Sequence, residues 1–336
     1  MSTSRLSPTV ELIGPDDPCR RPALRLILAG RTEASPEADA GVKCLEGQAA
    51  RQGLCLDLLF VVRQGPAILA ASLAVESPGR AGMAHLAIAG QGADSHHYSV
   101  RLLGVLQEHV WSRGAAMVQG LTMATDAAAA RAYRDAGFHE VAELIYLQRE
   151  GVPPDVRSPV CPELHWLPYR PESHALFLRA LEESYVETLD CPALTGIRST
   201  ADVLAGHRAT GMHDPSLWFV ALSEVHPVGV LLLSPIGDGA HVEVVYMGVS
   251  AAYRRRGIAH GLLRKAVEVC DQRAIGGLTL AVDAANAPAL ALYRRWGFRE
   301  FARRQAWLAV RPATPRQASH FSTALSTDGP RGVGNP

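Results

Sequence analysis

The chain has 336 residues, enough for two domains that each bury a core. Its 33 Lys+Arg balance 33 Asp+Glu, so no net field recruits nucleic acid or an acidic membrane. At 48% hydrophobic and 20% charged it has the make-up of an ordinary globular protein, and its longest apolar runs fall short of a bilayer span. The six cysteines (Cys19, Cys44, Cys55, Cys161, Cys191 and Cys270) are scattered without a Cys-x-x-Cys pair. They read as reduced thiols rather than a disulfide frame or a zinc site. Met1 to Arg20 is polar and lacks an apolar core, so no signal peptide is expected and the expected compartment is the cytoplasm.

In chain order, helical spacing is predicted over 23–29 and 42–52, followed by strands at 56–63, 67–76 and 84–89. Gln64-Gly65-Pro66 joins the first two strands as a hairpin. Val100, Leu103, Leu106 and Val110 lie at helical spacing over 99–111. A strand at 118–123, an Ala-rich helix at 126–136 and a strand at 141–148 close the first half. The Pro-rich stretch 151–162 reads as a linker. The second half repeats the pattern: a strand at 164–167, helices at 172–185 and 200–208, a hairpin of 217–222 with 228–233, and a strand at 242–249. Then come a helix at 260–270, a strand at 278–282, a helix from Asn286 and a strand at 306–310. The tail over 312–336, rich in Pro, Ser, Thr and Gly, is predicted to be disordered.

Arg254-Arg255-Arg256-Gly257-Ile258-Ala259-His260 sits between an apolar strand and a helix. A strand, a Gly-containing turn and a helix start gather unpaired backbone N–H groups at the positive end of a helix dipole, which suits a pyrophosphate. The three arginines either screen phosphate charge or form a solvated rim. No Gly-x-Gly-x-x-Gly or Gly-Lys-Ser/Thr is present, which disfavours dinucleotide and Walker loops. The pattern Arg254-x-x-Gly257-x-Ala259 resembles the acyl-CoA pyrophosphate loop of the GNAT superfamily of N-acetyltransferases. Asn286-x-x-Ala289-x-x-Leu292-Tyr293-x-x-x-Gly297-Phe298 resembles that superfamily's second signature, in the right order and spacing.

Subtracting 160 carries Tyr293, Gly297 and Phe298 onto Tyr133, Gly137 and Phe138, and Leu262-Leu263 onto Leu102-Leu103. The register holds without a gap from the fourth strand to the Gly-Phe, so the chain contains an internal duplication. The expected fold class is α/β, with two tandem GNAT-like domains, each a mixed, mostly antiparallel twisted sheet flanked by helices. The first, at 1–150, is read as degenerate and the second, at 163–311, as catalytic. The same offset puts His97 under Gly257, Ser99 under Ala259 and Asp94 under Arg254, so the first copy lacks the glycine and places an acid where pyrophosphate would lie. Gly90-Gln91-Gly92 is the alternative nucleotide turn in that half.

The resemblance implies acetyl-CoA as cosubstrate, no metal, and a pantetheine arm paired with the backbone of Met247, Gly248 and Val249. Arg254, Arg255, Arg256, Gly257, Ile258, Ala259 and His260 would hold the nucleotide end, with His260 offering its backbone N–H. Tyr293 matches the family tyrosine that protonates the leaving thiolate; a phenol near 10 is a suitable acid, and the other reading is a core aromatic on the helix face, since Tyr133 is its counterpart in the first copy. Asn286 caps its helix and touches the cofactor arm. Glu243 lies where the family places a base, with Met83 as its counterpart; the other reading is a solvated edge carboxylate. Strand alternation puts His241, Glu243, Val245 and Met247 on one face and Tyr246 on the other, as packing. Tyr185, Glu187 and Asp190 form the candidate acceptor loop. Cys191 has no visible base partner, and the adjacent His96-His97 point apart and do not form a metal pair. The two-copy layout is similar to that of mycothiol synthase, but no acceptor motif carries over. The expected partners are a small-molecule or peptide amine, with no nucleic acid and no membrane, in a monomer or homodimer. A non-catalytic acyl-CoA-binding regulatory or scaffold protein is the competing class.

Overall fold

The computed structural model describes residues 8–90, 94–151, 162–237 and 239–312. The linker expected at 151–162 and the tail after 312 therefore lie almost wholly outside the described residues, as do Gln91 and Gly92 of the alternative turn. The first half runs β1 (Thr9–Leu12), α1 (Arg20–Ala29), α2 (Pro36–Gln52), β2 (Leu58–Gln64), β3 (Ala67–Ser77), β4 (Ala81–Ile88), α3 (Ser95–Ser112), β5 (Met117–Met123), α4 (Ala127–Asp135) and β6 (His139–Glu150). The second runs β7 (His165–Pro168), α5 (His174–Tyr185), α6 (Thr200–Arg208), β8 (Trp218–Ser223), β9 (His226–Ile236), β10 (His241–Val249), α7 (Ile258–Gln272), β11 (Gly277–Asp283), α8 (Ala287–Arg295) and β12 (Arg299–Val310).

Local chemistry sets many of these boundaries. Ser35 accepts the Ala38 N–H, Pro36 opens α2, and Gly53 ends it in the left-handed region at φ 63°. Ser199 caps α6, and Asp126 and Asn286 cap α4 and α8 at corresponding places in the two copies. The predicted hairpin between β2 and β3 is present, turning at Gly65 with φ 59°. Strand β1 has no counterpart among the predicted elements; four residues pairing with β2 at the sheet edge give too short an alternation to read.

The twelve strands of the described residues form one sheet in the order β1-β2-β3-β4-β5-β12-β6-β11-β10-β9-β8-β7. Pairing is antiparallel except at β4–β5 and β10–β11. The order shows that the two copies exchange their last strands. β12, from the end of the chain, pairs with β5 of the first copy, while β6 pairs with β11 of the second. The cores follow the exchange: Trp307 and Ala309 complete the first-half cluster around Leu102, Leu103 and Tyr133. Ile145 and Leu147 complete the second-half cluster around Leu262, Leu263 and Tyr293. The Trp307 indole stacks on Tyr133 with centroids 6.0 Å apart and donates to Thr122 Oγ1 at 3.0 Å.

Because Trp307 is 1% exposed and serves a core far from it in sequence, Trp307→Ala is expected to cost about 3–5 kcal/mol. Urea denaturation should show the first and second halves losing structure in one transition. A loss under about 1 kcal/mol would contradict the exchanged-strand packing. Among the described residues no helix is long and apolar enough to cross a membrane.

Candidate active site

Strands β10 and β11 are paired only from His241–Gly277 to Glu243–Thr279, and beyond that they part. Opposite β9, β10 carries a bulge at Val245, where the register shifts between Val244 and Tyr246. A bulge adds a residue and changes which side chains share a face. Val242, Val244 and Met247 pack toward α7, whereas Val245 and Tyr246 pack toward α5 and α6. The expected alternation is corrected accordingly: Met247 does not share a face with Val245, and Tyr246 does not stand opposite it.

At the far end of the opening, the bend before α7 places Arg255 at φ 62° and Gly257 at φ 80°, both left-handed. Only glycine adopts that conformation without strain, so Gly257 is the residue that lets α7 start there. The N–H groups of Gly257, Ile258 and Ala259 donate to no other backbone group among the described residues, and they stand at the positive end of the fifteen-residue α7. Donors so placed can cradle an anion. His260 departs from expectation, because its N–H is taken by the Gly257 carbonyl at 3.0 Å. Its ring instead accepts from Trp296 Nε1 at Nδ1 (2.9 Å), which leaves the proton of the neutral imidazole on Nε2. Burial, with Arg295 and Arg264 nearby, lowers its pKa and favours that neutral form.

Arg254 also departs from a phosphate-facing role. Its guanidinium donates to the carbonyls of Ser184 (3.0 Å), Val186 (2.7 Å), Glu187 (3.1 Å) and Val249 (3.3 Å). It thereby satisfies carbonyls at the C-terminal end of α5 and ties the loop after α5 to the bend. Arg255 and Arg256 are exposed; Arg256 lies over the Tyr253 ring at 5.2 Å and does not line the cavity.

A cavity of about 770 Å³ runs from this bend through the parted strands to Leu280. Met247, Gly248, Val249, Asn286 and Tyr293 all line it, as do Glu187 and Asp190 from the loop after α5. Tyr185 does not; its ring packs edge-on against Tyr246 at 5.5 Å. Asn286 accepts the Ala289 N–H as a helix cap. Tyr293 is 7% exposed and its hydroxyl has no hydrogen-bond partner among the described residues. Burial, then the fields of Asp190 and Tyr246, push its phenol well above the usual range. It is a weaker acid than an exposed tyrosine and stays protonated, so its hydroxyl can donate a hydrogen bond into the cavity.

Sequence reasoning did not find two features of this wall. Asp190 stands in the cavity but also accepts the Asp283 N–H at 2.9 Å, while Asp283 accepts the Cys191 N–H at 3.1 Å. This exchange clamps the loop after α5 to the end of β11. The cavity walls displace water around Asp190 and raise its carboxyl above the usual range. Tyr246 shares a hydrogen bond with Ser184 (2.8 Å), and burial pushes its phenol up to about 12. Gly248 makes room for that contact, since a Cβ there would lie 2.7 Å from Ser184.

Glu243 is not in the large cavity. It lies where β10 and β11 begin to part, in an adjoining cavity of about 390 Å³ lined also by Tyr146, Thr279, Phe301 and Arg304. Leu280 lines both spaces. The carboxylate is half-buried, has no hydrogen-bond or ion-pair partner among the described residues, and burial raises its pKa.

The first copy has the same elements, and its β4 and β5 also part, after Ala84 and Gly120, but Tyr133 fills the start of that gap. Tyr133, the counterpart of Tyr293, donates to the Ala84 carbonyl at 2.9 Å, and its ring presses on Gly120, where a Cβ would lie 2.1 Å from it. Leu280 occupies the Gly120 position in the second copy, which denies Tyr293 that seat. Helix α3 starts at Ser95, so His97 is inside the helix and, among the described residues, is not at a bend like that of Gly257.

Residues 179–298 match the model of the Acetyltransferase (GNAT) family. Over 65 residues, 19% of this chain, the sequence is 40% identical to a mycothiol acetyltransferase of Clavibacter michiganensis subsp. michiganensis. The match spans 21% of that protein, about a fifth of its length. In fold, the chain is similar to a GCN5-related N-acetyltransferase from Sphaerobacter thermophilus (TM-score 0.61, 21% identity, covering 91% of this chain and 97% of that one). It is also similar to a tandem GNAT protein from the clavulanic acid biosynthesis pathway, solved without AcCoA (TM-score 0.55, 16% identity, covering 91% and 100%).

Proposed function

We propose, from the premise that this chain is a tandem GNAT protein, that it is an acetyl-CoA-dependent N-acetyltransferase acting on a primary amine by direct attack, with its site in the second copy. The observation that carries the reading is the contrast between the copies. In the second, a continuous cavity joins a left-handed bend rich in free N–H groups to the unpartnered Tyr293 hydroxyl; in the first, Tyr133 closes the same gap. Residues 1–150 serve this reading as a scaffold without a working site.

Bound acetyl-CoA would supply an activated acyl carbonyl and a thiolate leaving group. The donors of Gly257, Ile258 and Ala259 would hold its pyrophosphate, and the exposed strand edge from Met247 to Val249 its arm. Glu243, at the start of the opening, accepts the proton from the attacking nitrogen, directly or through one water. Its raised pKa makes it a better base than an exposed carboxylate. The new C–N bond forms as the C–S bond breaks, and the Tyr293 hydroxyl donates to the departing sulfur.

The test is a thiol-release assay with acetyl-CoA across a panel of primary amines. Wild type should release coenzyme A with at least one amine, and Tyr293→Phe should lower kcat at least about tenfold with little change in coenzyme A affinity. Binding without release by any amine would replace this reading with the non-catalytic acyl-CoA-binding one.

A further inference from the structure

The cavity that holds Glu243 contains a second charge of opposite sign. Arg304, on β12, is half-buried there and gives one N–H to the Arg303 carbonyl (2.9 Å), but pairs with no carboxylate among the described residues. Glu243 has no cationic partner among the described residues either. The two are separated by β11 and β6, three inter-strand steps or roughly 14 Å across the sheet at the usual spacing, and Arg304 lies a further ~13 Å along the strands, since Glu243 is level with Thr279, Gln148 and Arg299. Two unpaired opposite charges in one concave space are costly unless something bridges them.

The walls between them come from both copies. Tyr146, on the exchanged strand β6, faces Ala302 directly, and the next residue on that face of β12 is Arg304. Phe301 is the extra residue of a bulge in β12, between Glu300 and Ala302, and its ring meets Tyr146 edge-on at 6.1 Å. Bulges commonly re-aim one side chain beside a site. Here the bulge leaves Phe301, 52% exposed, as an aromatic wall.

We propose that this cavity is the acceptor pocket and that the acceptor is an amine that also carries an anionic group, its nitrogen toward Glu243 and its anion toward Arg304. The inference rests on the acetyltransferase reading and narrows its substrate class. It also gives the first copy a part in recognition, because β6 supplies Tyr146, without which the pocket lacks a side. An anion held by an arginine in a cavity gains a charge-assisted hydrogen bond that its neutral amide forfeits.

The experiment compares matched pairs in the thiol-release assay: glycine with glycinamide, β-alanine with β-alaninamide, and phenylalanine with phenylalaninamide. Spermidine and hexylamine serve as amines without an anion. At least one acid should exceed its amide tenfold or more in kcat/KM. Arg304→Gln should erase that preference through KM while coenzyme A affinity is unchanged, and Arg304→Lys should restore part of it. Amides turned over as well as acids, turnover confined to spermidine or hexylamine, or a preference that survives Arg304→Gln would each overturn the proposal while leaving the acetyltransferase reading standing. Silence with every amine would overturn both.

Discussion

Gly257→Val should weaken coenzyme A binding roughly ten- to a hundredfold, as measured by isothermal titration. Gly257 holds φ at 80° as the residue before α7. A β-branched side chain forced into that region costs about 1–3 kcal/mol, and each 1.4 kcal/mol is a factor of ten in affinity. Valine escapes the strain by moving the bend, and the N–H groups of Ile258 and Ala259 then no longer converge. The α7 core face of Leu262, Leu263 and Ala266 is untouched, so far-ultraviolet circular dichroism should be unchanged. The counterpart His97→Val lies inside α3, where no such bend exists, and should leave affinity within about twofold.

Glu243→Gln should lower kcat about 10²–10⁴-fold, the usual worth of a positioned base, and should raise the melting temperature at neutral pH. The second effect follows from the raised pKa. A carboxyl whose folded pKa lies above its unfolded value stabilises the fold only while protonated, and that contribution is lost as pH rises through the folded pKa. At neutral pH the wild type holds a half-buried, unpartnered carboxylate, and glutamine removes it. The gain in melting temperature should vanish below the ordinary carboxylate range, where both side chains are neutral. The kcat/KM profile of wild type should rise with pH through this raised pKa, and the variant should lack that limb. A variant that loses activity but gains no stability would identify Glu243 as a charge already satisfied in the fold.

Much of this site is legible as residue types at fixed spacing. Gly257 before an apolar helix, Asn286 as a cap seven residues before Tyr293, and a 160-residue offset that keeps Tyr133 under Tyr293 are local facts, and local geometry enforces them. The predicted elements lie within a few residues of those observed, with β12 the largest discrepancy. Its first residues, Arg299 to Gln305, are mostly charged and look like a loop, yet they pair with β6, whose partner residues lie 151 to 162 positions earlier. The exchange of last strands is not readable because both copies carry the same pattern, and pattern alone does not say whose fifth strand each pairs with. The face expected for Met247 fails for a narrower reason: a single bulge at Val245 reverses every alternation after it. Charge near a Gly turn suggests a phosphate ligand at Arg254. Four carbonyls supplied by α5, the loop after it and β10 claim that side chain instead, and three of those contacts lie more than 60 residues away in sequence.

The most direct test is a crystal structure of the protein grown with coenzyme A. Density should fill the space between β10 and β11, with phosphates against Gly257–Ala259 and the sulfur beside Tyr293, while Tyr133 keeps its bond to Ala84. A molecule seated between β4 and β5, or one lying away from the α7 bend, would contradict the assignment of the working site.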